Sequence, residues 1–153
     1  MNIIREWAFH LHLIMAISWI GGSIFMFVLG VSLRDKRAQQ EVYPHIGPIF
    51  GWFELIALIS LLMSGYILGE YYNLFVLLED PFKTKISEAI FIKIVLVFLL
   101  TIFTALHFII AYKTNGKKRS RFQQILSRSS SILILILNLF VMHYAIILRD
   151  ILK

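Results

Sequence analysis

Four long apolar stretches, separated by short polar segments, dominate the pattern of this chain. They cover about residues 7–30, 47–69, 89–112 and 131–148, close to the roughly 20 residues that an α-helix needs to cross a bilayer. The pattern predicts an all-α, polytopic membrane protein. We expect one antiparallel bundle of four transmembrane helices, with residues 1–153 forming a single domain.

The polar segments differ in their content of basic residues. Because cytoplasmic loops are enriched in Lys and Arg, the bias predicts that both termini and the second loop are extracytoplasmic. We therefore expect a multi-pass protein of the plasma (inner) membrane. The first and third loops carry nine basic residues, Arg34, Lys36, Arg37, Lys113, Lys117, Lys118, Arg119, Arg121 and Arg128, against five elsewhere outside the spans, Arg5, Lys83, Lys85, Arg149 and Lys153.

Composition narrows the possible chemistry. The 153 residues are 59% hydrophobic with a mean hydropathy of +0.79, which excludes a soluble cytosolic globule. The lack of cysteine excludes disulfides, thiolate metal sites and iron–sulfur clusters. The net charge of +6 does not indicate nucleic acid, because the basic residues mostly flank the apolar stretches.

Four histidines occupy matched depths in the predicted spans. His12 and His143 lie about five residues inside the extracytoplasmic ends of their spans, and His107 about five residues inside a cytoplasmic end, near His45. The resulting outer and inner pairs would be roughly 20 Å apart. Polar side chains are costly in lipid, and paired imidazoles are axial ligands of haem b iron in electron-transfer proteins. The pairs therefore indicate one or two haem b groups, although His45 could equally be a solvated interface residue.

His12 and His10 face different sides of the first predicted helix. Residues seven apart share a helix face, so His12 is aligned with Trp19, whereas His10 points about 200° away. We expect His12 to face the bundle and His10 to face lipid, the interface or a partner subunit. Small residues would let a flat macrocycle approach the backbone, although helix packing alone is the favoured explanation. They are Gly21, Gly22, Gly47, Gly51, Gly65 and Gly69.

Further polar groups lie within the spans. Lys93 is at the predicted depth of the outer histidines, where it could pair with a haem propionate or extend to the membrane surface. Glu54 lies deeper, at a predicted depth similar to that of Thr104 and Asn138. Its carboxyl group is either a proton-relay element or a structural hydrogen-bonding group between helices.

The first helix carries His12, then Trp19 seven residues later and Gly22 three residues after that. This pattern resembles the signature His-x6-Trp-x2-Gly shared by the copper-resistance D (CopD) family and the HemJ-type protoporphyrinogen oxidases. Lys93 resembles the lysine that opens the third helix in both groups, and Ser64-Gly65 is similar to their Thr/Ser-Gly. The resemblance implies haem b binding that involves His12, Trp19, Gly22 and Lys93.

The chain departs from the HemJ pattern in its fourth helix. HemJ-type proteins have an Asn-Glu-x-Pro motif there, whereas this chain has Ser129-Ser130-Ser131-Ile132. The departure disfavours porphyrinogen oxidation. The presence of His107 and His143, which are additional to the pattern of the copper family, favours haem.

Three functions follow as hypotheses. The first is a haem b protein that carries electrons between quinone or a membrane partner and a periplasmic redox protein, as a single chain or as a homo-oligomer. It is favoured over a stand-alone enzyme. The second is CopD-like copper transport or handling, in which Met15 and Met142 add soft ligands for Cu(I) to His12 and His143. The third is a HemJ-like oxidase.

The haem hypothesis also predicts the order of the helices. A haem with two axial histidines needs its ligand helices farther apart than the roughly 8–10 Å of helices in direct contact. We therefore expect the first and fourth helices to be diagonal, in the order 1-2-4-3. The second loop, of roughly 20 residues, would cross the outer face of the bundle and help to cover the outer haem.

Overall fold

The computed structural model describes residues 3–113 and 120–151 of the chain. They form four α-helices, α1 (Ile3–Ser32), α2 (Lys36–Tyr71), α3 (Lys85–Lys113) and α4 (Arg121–Ile151), and one short 3₁₀ helix (Leu74–Leu78). All four α-helices are long and apolar enough to cross a membrane, so the predicted all-α, four-span fold is confirmed. The basic residues at 117–119 lie outside the described residues.

The helices are ordered 1-2-3-4 around the bundle. Neighbours along the chain pack together, and α1 also packs against α4, whereas the diagonal pairs, α1 with α3 and α2 with α4, do not touch within the described residues. The expected order 1-2-4-3 is therefore wrong. The connection between α2 and α3 does not cross the bundle, because its 3₁₀ helix packs against those same two helices.

Both α2 and α4 begin well before the apolar stretches that they contain, because their capping residues lie in the polar segments. The Asp35 carboxylate accepts hydrogen bonds from the backbone N–H groups of Arg37 (3.2 Å) and Ala38 (3.4 Å). At α4, Ser120 and Gln123 bond reciprocally to each other's backbone N–H group, as in a capping box. Hydropathy thus located the spans, whereas capping determines where these helices begin.

The core of the bundle is small and draws on all four helices. Its buried members are Trp19, Ala57, Leu58, Leu100, Ile134 and Leu137. Most other large apolar side chains are exposed on the outside of the bundle, where a soluble protein would have polar groups. Because lipid is as apolar as these side chains, close packing and interhelical hydrogen bonds hold such a bundle together.

Contacts between antiparallel neighbours fix the alignment of the helices along the bundle axis. We call the end where α1 begins the terminal end and the end where α1 turns into α2 the turn end. With a rise of about 1.5 Å per residue, the contacts assign an axial level to every residue. They join His12 to Ser64, Trp19 to Glu54, Gly51 to Phe108 and His107 to Ser130.

Candidate cofactor site at His12

His12 faces the bundle and His10 does not, as the helix phase predicts. The His12 side chain is half-buried, and its Nδ1 atom lies 3.0 Å from the Ser64 hydroxyl oxygen of α2. His10 is exposed, and its Nδ1 atom lies 2.7 Å from the Glu6 carbonyl oxygen of its own helix. Of these two histidines, His12 is therefore the one that is hydrogen-bonded to a second helix.

The partner of His12 determines which ring nitrogen carries the proton. The Ser64 hydroxyl donates its only hydrogen to the Ser60 carbonyl oxygen, at 2.6 Å. It must then accept a hydrogen bond from His12, so the proton of the neutral imidazole is on Nδ1. The lone pair is consequently on Nε2, the arrangement of a metal-ligating histidine whose other nitrogen is held by a hydrogen bond.

Gly65 provides the space for the His12 ring. A Cβ atom at this position would lie 3.3 Å from the His12 Cε1 atom, closer than an ordinary van der Waals contact. The pair Ser64-Gly65 therefore has two tasks at one site: the serine bonds to the ring and the glycine lets the ring approach α2.

Lys93 of α3 is the cation near His12. The register places Lys93 within about 3 Å of the level of His12, in agreement with its predicted depth. Within residues 3–113 and 120–151, no carboxylate forms an ion pair with this lysine. The site thus offers a neutral imidazole and a nearby cation to a ligand.

His143 has the predicted level but faces outward. Its side chain is exposed and packs edge-on against Tyr144, with ring centroids 5.8 Å apart. On α4 it is nine residues from the buried Ile134, which places it about 180° around the helix from the core. The structure therefore does not bring His143 together with His12, and the predicted outer pair is not assembled within one bundle.

The inner histidines are not brought together either. His45 is exposed on α2. His107 is half-buried on α3, and its Nδ1 atom lies 3.1 Å from the Ser130 hydroxyl oxygen, which itself bonds to the Leu126 carbonyl oxygen at 2.8 Å. This repeats the arrangement of His12 with Ser64, between α3 and α4. The two histidine–serine pairs are separated by roughly 15–18 Å along the axis, close to the spacing that the sequence predicts.

The first-helix signature lies along the α1–α2 interface. Trp19 is buried, and its Nε1–H group donates to the Glu54 carboxyl oxygen at 3.4 Å. A Cβ atom at Gly22 would lie 2.8 Å from a ring carbon of Phe50, so the missing side chain allows α1 and α2 to approach. Trp19 and Gly22 therefore have packing roles here, and His12 is the member of the signature that can act as a ligand.

Most of the glycines singled out above face protein side chains. Those at positions 22, 51, 65 and 69 contact Phe50, Phe108, His12 and Phe75 respectively. Gly21 and Gly47 face open space. Close helix packing therefore explains the glycines that line the interfaces, and they carry no argument for a macrocycle.

A search for metal-binding clusters among the described residues finds no group of three or more His, Cys, Asp or Glu side chains. A metal or haem at His12 would therefore use this histidine with a ligand of another kind or from another chain.

No protein-family model matches the sequence, and comparisons with curated proteins and with solved structures found no match.

Proposed function

We propose that this protein binds haem b through His12 in the membrane and transfers electrons. The observation that carries the proposal is the hydrogen-bonded series from His12 Nδ1–H through the Ser64 hydroxyl to the Ser60 carbonyl. A hydrogen bond donated by the nitrogen that does not bind the metal orients a ligating imidazole and raises its basicity. Haem b supplies one-electron redox chemistry when it is bound.

Lys93 fits the same proposal. Haem carries two propionate groups, whose negative charges are costly to bury without a cation. A lysine that interacts with His12 and lacks a carboxylate partner among the described residues is suited to neutralise one of them. Its role is to bind and orient the cofactor.

Under this proposal, His143 can ligate a haem only at an interface between two copies of the chain. Its outward position excludes it from the interior of its own bundle, but an exposed imidazole at the level of His12 could face a second copy in a homo-oligomer. His107, bonded to Ser130, is the candidate ligand for a second haem, with His45 too exposed to complete it within the bundle.

The predicted orientation indicates which side of the membrane the His12 site is near. If the termini are extracytoplasmic, His12 lies near the periplasmic surface of the plasma membrane. The proposed electron transfer is between a quinone or another membrane partner and a periplasmic redox protein. This assignment rests on the distribution of basic residues.

Optical spectra with metal analysis test the proposal. The purified protein should show a Soret band and contain iron, with α and β bands after reduction by dithionite. His12→Ala should lose most of the haem. His10→Ala is the matched control, because its residue is exposed two positions away on the same helix. The proposal would be contradicted if wild-type protein contained no haem after haem had been supplied. Equal losses of haem in His12→Ala and His10→Ala would also contradict it.

Copper handling is the second candidate. Met15 lies one helical turn from His12 on α1 and packs against the core, whereas Met142 is exposed. The soft-ligand pair for Cu(I) would therefore be His12 with Met15. Metal analysis distinguishes the two candidates: copper that is lost in both His12→Ala and Met15→Leu favours this one.

The HemJ-like oxidase is tested with the same preparation. The fourth-helix segment that departs from the HemJ pattern includes Ser130, which is bonded to His107. Conversion of a porphyrinogen to its fluorescent porphyrin, lost in His12→Ala and in Lys93→Met, would establish this activity instead.

A further inference from the structure

Each helix contributes one buried polar residue to the middle of the bundle. Glu54 is the only carboxylic acid among them. The four side chains lie among apolar residues and inside the apolar spans, where no bulk solvent reaches them. They are Ser23 of α1, Glu54 of α2, Thr104 of α3 and Asn138 of α4, with exposed fractions of 6%, 4%, 0% and 4%.

Three of these residues have polar atoms without a partner among the described residues. They are the Ser23 hydroxyl oxygen, the Thr104 hydroxyl oxygen and the Asn138 side-chain nitrogen. An unsatisfied polar group is costly in a membrane, because lipid cannot replace the lost hydrogen bond. Buried polar groups of this kind bind internal water, which donates and accepts hydrogen bonds.

The register arranges these groups along the bundle axis. Thr104 shares the level of Glu54, as the sequence predicts, and Ser23 lies about one helical turn nearer to the turn end. The His107–Ser130 pair is at the level of Ser23. Asn138 departs from its predicted depth, because it lies about 7 Å nearer to the terminal end than Thr104.

Glu54 has little to stabilise a negative charge. One carboxyl oxygen accepts a single hydrogen bond, from Trp19, and no ion pair with Glu54 occurs within residues 3–113 and 120–151. A carboxylate in hydrocarbon needs a cation or several hydrogen-bond donors. Among the described residues Glu54 has neither, so we expect its carboxyl group to hold a proton and to be neutral. The bonded neighbour is Trp19 of α1, and the polar groups nearest in level are Thr104 of α3 and Ser23 of α1, all uncharged. The nearest titratable residues along the axis are His12 and Lys93 toward the terminal end and His107 toward the turn end.

We propose that Glu54 is an exchangeable proton site inside the bundle, connected toward the turn end, as far as the level of the His107–Ser130 pair, by water bound at Thr104 and Ser23. The proton leaves the Glu54 hydroxyl for a water oxygen, and that water passes another proton toward the His107–Ser130 level. The carboxylate recovers a proton by the reverse route, so no other reactant is consumed. The site requires no haem, so its test is independent of the proposed function.

Infrared spectroscopy on the full chain in lipid nanodiscs tests the proposal. The C=O stretch of a protonated carboxyl group should be present in wild-type protein, absent in Glu54→Gln and retained in Glu70→Gln, which removes an exposed acid from the same helix. After rapid mixing with D2O, the band should shift as the proton is replaced by a deuteron.

The rate of that shift tests the path. Ser23→Ala and Thr104→Val should slow the exchange by roughly tenfold or more, because each proton step needs a donor and an acceptor within hydrogen-bond reach. Asn138→Leu should leave the rate unchanged, since Asn138 lies on the terminal side of Glu54. Circular dichroism checks that each variant is folded. Ser23→Thr, which keeps a hydroxyl group at this position, should exchange at the wild-type rate.

Three results would overturn the proposal. The first is the absence of the band at every pH at which the protein is folded, which would mean that Glu54 never holds a proton. The second is a band that does not exchange in hours. The third is a rate that is insensitive to Ser23→Ala and Thr104→Val, or that slows in Asn138→Leu instead.

Discussion

Removing the Ser64 hydroxyl separates the ligand role of His12 from the stability of the bundle. In Ser64→Ala, His12 Nδ1–H loses its acceptor at 3.0 Å, while the helical backbone of α2 keeps its own hydrogen bonds. A single interhelical hydrogen bond in a membrane protein contributes only about 0.6 kcal/mol on average. We therefore expect the variant to fold with nearly wild-type stability.

The effect on cofactor binding should be larger. Loss of an outer-shell partner of a ligating histidine typically costs about 10–100-fold in affinity, or roughly 1.4–2.8 kcal/mol. Titrating haem into cofactor-depleted protein and following the Soret band gives the Kd directly. Ser64→Thr, which keeps a hydroxyl group, should bind more tightly than Ser64→Ala.

Ser130→Ala is the matched control. It breaks the same kind of histidine–serine pair between α3 and α4, roughly 15–18 Å along the axis from His12. It should leave the affinity at the His12 site unchanged. Equal Kd values for wild type and Ser64→Ala, with both proteins folded, would refute the argument that Ser64 holds the ligand.

The remaining predictions concern packing, the second ligand and orientation. Gly22→Ala places a Cβ atom 2.8 Å from a phenylalanine ring carbon of α2 and should destabilise the bundle by about 1–3 kcal/mol in denaturant titrations, whereas Gly21→Ala, which faces open space, should not. His143→Ala should leave the haem content of monomeric protein unchanged because its side chain is outside the bundle, and a loss as large as that of His12→Ala would contradict this. In this cysteine-free chain, a single cysteine in place of Asn73 should react with impermeant maleimide from the periplasmic side, and labelling only after membrane rupture would reverse the predicted orientation.

The sequence was sufficient for the four spans, the inward face of His12 and the depths of Lys93 and His143. Each of these follows from apolar run length or from simple helical geometry. The same helical geometry gives the outward direction of His143, because His143 is nine residues from Ile134 and therefore on the opposite side of α4.

The partners of the histidines and the order of the helices were beyond the sequence. Ser64 and Ser130 bond to carbonyl oxygens of their own helices, a common use of serine in apolar helices, so nothing in the pattern indicates that each also accepts from a histidine. The helix order was inferred from the space that an enclosed bis-histidine haem requires. The protein instead packs α1 directly against α4.

Restoring a missing ligand from solution tests the central claim most directly. His12→Gly removes the imidazole and leaves Ser64 in place, so the purified variant should lack the haem spectrum. Adding imidazole together with haem should recover the wild-type Soret and reduced bands, and the same treatment of His10→Gly should change nothing. A His12→Gly variant that keeps its haem and its spectrum without imidazole would show that His12 is not the ligand.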